Sequence, residues 1–179
     1  MRTLKGAAYL APEGKFKEGN ILIDNGRIFS VGGTDCSGEC LDFAGYRIIP
    51  GLIDVHTHGA IGIDAMTAEP EHLLTLSRFL AEHGVTSFFP TTITSGLPEL
   101  LHAVQRIREA SENPGLAAAI AGIHYEGPYI SRKFAGCHDP NRIQPPDVEG
   151  IKKILSAAGP DLLRRITVAP ELEGARELI

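Results

Sequence analysis

Two histidines separated by a single residue are the feature of this chain that most directly suggests chemistry. His56 and His58 end a short apolar run typical of a buried β-strand, so their imidazoles project to the same side with Asp54 one layer below. Imidazole binds zinc, copper, iron or nickel, and the pair could form half of a metal site. The spacing alone is equally typical of two polar residues that hydrogen-bond loop backbone. Gly59 and Gly62 favour a ligand site, because a ligand can approach bare backbone closely.

A carboxylate ends another apolar run further along the chain. Glu126 precedes Gly127 at the end of a predicted strand, where a lone glutamate is more typical of a residue that pairs with an arginine or caps a loop. Beside two imidazoles, a carboxylate completes a set of ligands that zinc accepts. We therefore predict that Glu126, His56 and His58 are metal ligands. The neighbouring Thr91, Thr92 and His124 are interpreted as hydrogen-bonding or packing residues.

The elements that would position these side chains alternate between strand and helix from residue 50 onward. Periodicity predicts strands at 85–89, 117–125 and 165–169, helices at 71–83, 98–110 and 147–157, and a further helix from 171. Such alternation is typical of a parallel sheet with right-handed crossovers, which binds ligands at the C-terminal ends of its strands. All candidate site residues lie at such ends. An α/β fold is predicted.

The first 49 residues have a different pattern. Two β-rich runs flank Asn25-Gly26, which is a strong signal for a two-residue hairpin, and residues 4–10 are a plausible partner strand. We predict that residues 1–49 form a small β domain segment, part of a β-sandwich, ahead of a second domain at 50–179.

Three longer motifs resemble one family of enzymes. The His-x-His strand resembles the first barrel strand of the amidohydrolase superfamily. The runs Gly-Ile-His-Tyr-Glu-Gly-Pro-Tyr at 122–129, Lys-x-x-Gly-Cys-His-Asp-Pro at 133–140 and Gly-Val-Thr-Ser-Phe-Phe-Pro-Thr-Thr at 84–92 resemble the N-acetylglucosamine-6-phosphate deacetylase family. The resemblance to the deacetylase family extends along essentially the whole chain. The Glu-Gly-Pro element of this family is much more specific than the His-x-His pair.

The resemblance implies a function and roles for individual residues. The expected reaction is metal-dependent amide hydrolysis, which removes acetate from N-acetylglucosamine 6-phosphate, a small phosphorylated amino sugar. Glu126 is implied as a metal ligand. The His-x-His pair binds a second metal in some members of the family, so His56 and His58 suggest a member with this fuller metal site. Cys137 is expected to touch substrate through its backbone, and His138 to line the sugar pocket. The implied cofactor is a divalent metal, with zinc favoured and iron or another divalent metal as alternatives.

The resemblance also implies that part of the enzyme is missing. A (β/α)8 barrel typically needs about 250 residues, so residues 50–179 would form the first four or so strands of a partial TIM-type barrel. The family's later metal ligands and its general base and acid aspartate are expected beyond residue 179, and the chain alone is expected to be inactive. An open barrel edge favours association, so we expect a homo-oligomer, namely a dimer.

Two other functions remain open from the sequence. One is a different amidohydrolase that hydrolyses cyclic amides. The other is a non-catalytic half-barrel that serves as an assembly module.

Composition excludes several classes of protein. The chain of 179 residues has a net charge of −5, which argues against a nucleic-acid surface, and no apolar run approaches a membrane span or a signal peptide. Its 3 cysteines do not form an even disulfide framework and are expected to be free cytoplasmic thiols. A cytoplasmic enzyme is predicted.

Overall fold

The computed structural model describes residues 1–179, which divide into two compact units, Met1–Pro50 and Gly51–Ile179. The strands of the first unit are β1 (Arg2–Leu10), β2 (Phe16–Asp24), β3 (Arg27–Gly33), β4 (Glu39–Asp42) and β5 (Arg47–Ile48). They form a single sheet with the order β3-β2-β1-β4, and β5 also pairs with β1.

The predicted hairpin in the first unit is confirmed. β2 and β3 pair in antiparallel fashion around Asn25 and Gly26, whose φ angles of 48° and 73° are those of a tight hairpin turn. The second layer that a sandwich requires is not formed by these residues, so the sandwich stays a prediction.

The cysteines of this unit differ from the prediction. The structure joins Cys36 and Cys40 in a disulfide, so the expectation of free thiols is wrong for this pair and holds only for Cys137. A turn through Gly38, at φ 73°, brings the two Cα atoms to 6.3 Å, which is within the range that a disulfide can bridge.

The second unit alternates strands and helices, which confirms the predicted α/β class. Its elements are β6 (Leu52–Thr57), β7 (Gly59–Ala60), β8 (Ile63–Asp64), α1 (Pro70–Glu82), β9 (Val85–Pro90), α2 (Leu97–Ser111), β10 (Ala119–Ile120), β11 (Ile123–Glu126), a 3₁₀ turn (Arg132–Phe134), α3 (Val148–Ala158), β12 (Leu163–Thr167) and α4 (Ala175–Leu178). The strands β6, β9 and β10 form one parallel sheet, and β11 and β12 form a second parallel pair. A parallel bridge between Thr91 and His124 links the end of β9 to β11.

Local sequence explains where the main helices begin. Pro70 occupies the first turn of α1, where a missing N–H costs nothing, and Glu69 and His72 form a capping box. At α3, the Asp147 carboxylate accepts a hydrogen bond from the Glu149 N–H. The apolar faces of α1, α2 and α3 pack with the strands into one core. No helix of this structure is long and apolar enough to cross a bilayer.

Three details of the second unit were predicted wrongly. The predicted strand 117–125 is two strands, because the chain irregularity at Ala121-Gly122 separates pairing with β9 from pairing with β12. A side chain at Gly122 would crowd Arg164. The last helix begins at Ala175 rather than at residue 171, after a left-handed Gly174.

The third error concerns the burial of β6. Its apolar residues Leu52, Ile53 and Val55 are 54%, 66% and 41% exposed, although a buried strand was predicted. β6 lies at the edge of its sheet and pairs only with β9, so no second strand pairs beside it. The Arg165 guanidinium donates to its backbone, at 3.4 Å from the Val55 carbonyl oxygen.

Candidate metal centre

The candidate ligands converge where parallel strands end. β6 carries His56 and leads into His58, and Glu126 is the last residue of β11. The ends of these strands lie side by side, because Thr57 pairs with Pro90 and a parallel bridge joins Thr91 to His124. One potential ligand atom from each of His56, His58 and Glu126 lies within 4.8 Å of the other two. The arrangement can hold a divalent metal through two imidazoles and one carboxylate.

The backbone determines which nitrogen of His58 faces the carboxylate. His58 Nδ1 lies 3.1 Å from the Thr91 carbonyl oxygen, which can only accept, so Nδ1 carries the proton and donates it. Nε2 lies 3.1 Å from Glu126 Oε2. Nε2 is therefore the nitrogen that His58 presents to the candidate site.

The two threonines that follow β9 form hydrogen bonds near the candidate ligands, as predicted. Both are buried. The Thr91 hydroxyl accepts from the Thr57 N–H at 3.0 Å, and the Thr92 hydroxyl accepts from the Glu126 N–H at 3.1 Å. These contacts connect the ends of β6 and β11 to the loop after β9.

His124 is buried beside the candidate ligands. Its Nδ1 lies 3.1 Å from His56 Nδ1, and its Nε2 lies 2.8 Å from Thr167 Oγ1. Burial, with the nearby Arg165 charge and the neighbouring histidines, lowers the pKa of His124 to about 4. The ring is therefore neutral at pH 7. The interpretation of His124 from sequence did not identify His56 as its partner, because this contact depends on how β6 and β11 are brought together.

The loop histidine reaches the same carboxylate from another direction. His138 Nε2 lies 3.7 Å from Glu126 Oε2, while its Nδ1 lies 2.8 Å from Thr94 Oγ1 and 3.4 Å from the Thr94 N. A backbone N–H can only donate, so Nδ1 is the acceptor and the ring proton is on Nε2. His138 thus presents its Nε2–H to the site. Cys137, on the same loop, is exposed.

Thr94 should determine which ring nitrogen of His138 carries the proton. We expect Thr94→Val to lower the free energy of unfolding by about 1–3 kcal/mol, because it leaves a buried nitrogen with a weakened partner, and Thr94→Ser to change it little. Urea unfolding measures the difference. In histidine-labelled ¹H–¹⁵N spectra, the His138 Nδ1 signal should move in the valine variant and stay in place in the serine variant. Equal unfolding free energies and equal His138 Nδ1 signals in the valine and serine variants would mean that the Thr94 hydroxyl does not determine the position of the ring proton.

Comparison with known proteins identifies the family. Residues 47–172 match the Amidohydrolase family. The chain belongs to the amidohydrolase family. The members of this family generally depend on divalent metals, which agrees with the two imidazoles and the carboxylate brought together here.

The similar amidohydrolases confirm the resemblance that the motifs predict. The chain is 37% identical to an N-acetylglucosamine-6-phosphate deacetylase of Bacillus subtilis (strain 168), over 98% of this chain and 46% of that protein. The crystal structure of the Mycobacterium smegmatis deacetylase superposes with a TM-score of 0.84 at 27% identity, covering 98% of this chain and 49% of that one. A variant of the M. smegmatis enzyme in complex with N-acetyl-D-glucosamine-6-phosphate superposes with a TM-score of 0.78 at 26% identity, covering 97% and 44%. This amidohydrolase chain thus spans less than half the length of these relatives.

Proposed function

We propose that this chain supplies the first metal-binding strands of a hydrolase that removes acetate from N-acetylglucosamine 6-phosphate and leaves glucosamine 6-phosphate. The observation that carries the proposal is the convergence of His56, His58 and Glu126, with ligand atoms within 4.8 Å of one another. The names of the similar proteins, and the sugar phosphate bound in one of them, support the choice of substrate.

The proposed metal is zinc, with iron or another divalent metal as the alternative. Two imidazole nitrogens and a carboxylate oxygen are a donor set that zinc accepts, and it leaves coordination positions for water and substrate. Such a metal lowers the pKa of bound water and polarises an amide carbonyl. His58 Nε2, a nitrogen of His56 and a carboxylate oxygen of Glu126 would hold it.

The other proposed contacts belong to the substrate. The Nε2–H of His138 would donate to the bound sugar amide or to Glu126, and the backbone at Cys137 would contact the sugar. The Thr94 N–H contact, which assigns the ring proton of His138 to Nε2, supports this role, because a metal ligand would need a free lone pair on that nitrogen.

The proposed architecture is the beginning of a larger fold. Residues 50–179 would be the first four strands of a partial (β/α)8 barrel, and residues 1–49 a small β domain segment. The observed division of the chain after Pro50 and the parallel pairing of the later strands support this assignment. The exposed apolar edge of β6 supports association as a homodimer. We further propose a cytoplasmic location.

A chimera tests the proposed function. Residues 1–179 would replace the matching region of the Bacillus subtilis relative, and release of acetate from N-acetylglucosamine 6-phosphate would be measured with added zinc. We expect turnover in the chimera and none in the same chimera carrying Glu126→Gln. A folded chimera that leaves this substrate intact but opens a cyclic amide such as dihydrouracil would instead favour the cyclic-amide hydrolase.

The unfused chain is the control for that experiment. Glu126 is the carboxylate of the candidate metal group, and a carboxylate that binds the metal is not free to carry a proton to the leaving amine. We expect no acetate release from the unfused chain. Robust release by the chain alone would contradict this account. A chimera that folds without any hydrolase activity would favour the assembly module.

A further inference from the structure

We propose that His124 is a positioning residue that directs Nε2 of His56 toward the metal. The inference rests on the proposed metal site and assigns a role to a buried histidine that the proposed reaction does not otherwise use. His124 is 1% exposed, and both of its ring nitrogens have partners.

The orientation of the His56 ring depends on a side chain, namely His124, whereas the orientation of the His58 ring depends on the backbone. His56 is exposed, and its ring makes its hydrogen bond to His124 Nδ1 at 3.1 Å. The Asp54 carboxylate accepts from the His56 backbone N–H and not from the ring, which also packs edge-on against the His58 ring with 5.0 Å between the centroids. His58, by contrast, is oriented by a backbone carbonyl that no side-chain substitution removes. Metal-binding histidines are commonly oriented through their second nitrogen, and for His56 that partner is another histidine.

The protons can be assigned along the chain of contacts. If neutral His56 binds a metal through Nε2, its proton must be on Nδ1, so it donates to His124 Nδ1. The proton of His124 is then on Nε2, which lies 2.8 Å from Thr167 Oγ1 and donates to it. Thr167 is the last residue of β12, so this relay connects the end of that strand to the candidate metal centre.

Zinc affinity of the 179-residue chain tests the proposal. Affinity would be measured by competition with a chromophoric chelator for the wild type, His124→Leu, His124→Asn and Thr167→Val. We expect affinity to fall 10- to 100-fold in His124→Leu, which is the usual effect of removing an orienting partner. His124→Asn should recover most of the loss, because its amide oxygen can accept where Nδ1 does. Thr167→Val should give a smaller loss, and Thr167→Ser none.

A spectroscopic readout separates positioning from packing. In long-range ¹H–¹⁵N spectra of the zinc-loaded wild type, His56 should carry its proton on Nδ1 and His124 on Nε2. Wild-type affinity in a folded His124→Leu variant, or the opposite proton assignment, would overturn the proposal. If His124→Leu does not fold, the zinc affinities of Thr167→Val and Thr167→Ser and the wild-type spectra still test the positioning role.

His58→Ala distinguishes this inference from the proposed function. Loss of zinc in His58→Ala with full binding in His124→Leu would refute only the positioning role. A wild-type chain that binds no zinc, or binds it equally well in His58→Ala, would refute the metal site itself.

Discussion

Glu126→Gln should weaken zinc binding by at least about 100-fold, which corresponds to about 2.8 kcal/mol. The substitution keeps the size of the side chain but replaces a charged oxygen ligand with a neutral amide. The side chain is only 17% exposed and lies beside His58 and His138, so water cannot easily take over the lost coordination. Isothermal titration of the purified chain with zinc measures the change.

The matched control for this experiment is Glu149→Gln. Glu149 is an exposed residue in the first turn of α3, paired with Lys152, and its substitution changes the net charge of the chain by the same amount. We expect zinc affinity within about twofold of the wild type, because surface charges at a distance are screened by salt. Equal losses in the two variants would mean that zinc responds to overall charge and that Glu126 is not a ligand.

Gly127→Ala should damage both the stability of the chain and its zinc site. Gly127 has φ 72°, and an added Cβ would collide with Thr94 Oγ1 and come within 3.1 Å of Thr94 Cα. Backbone strain and forced repacking together should lower the free energy of unfolding by about 2–5 kcal/mol. Zinc affinity should fall as well, because Glu126 is the adjacent residue and Thr94 holds His138. Urea unfolding and zinc titration measure the two effects.

Gly136→Ala isolates the contribution of crowding. Gly136 has φ 60° on the same loop as His138, but an added Cβ would meet no atom within 4 Å. Its substitution should cost about 1–2 kcal/mol from backbone strain alone and leave zinc affinity unchanged. If the two alanine variants lose the same stability and bind zinc equally, contact with Thr94 is not what requires glycine at 127.

Much of the fold could be predicted because its signals are local. The Asn25-Gly26 turn, the proline in the first turn of α1 and the apolar spacing of α2 each depend on residues close together in the chain. The break at Ala121-Gly122 could not be predicted in this way. It lies where pairing changes from β9 to β12, and Arg164, far along the chain, leaves no room for a side chain at Gly122. The exposure of β6 likewise depends on which strands pair beside it.

The candidate metal centre also combines features that the sequence predicts with features that depend on contacts between distant parts of the chain. The types and spacing of His56, His58 and Glu126 sufficed to predict a metal site, because strand periodicity and parallel pairing place strand ends together. The proton positions depend on contacts between elements: the Thr91 carbonyl orients His58, the Thr94 N–H determines the state of His138, and His124 meets His56. Each imidazole can present either nitrogen, and only its three-dimensional neighbours select between them. The sequence alone therefore indicated which residues could bind a metal, and the tertiary structure decided which nitrogen His58 and His138 present to the site.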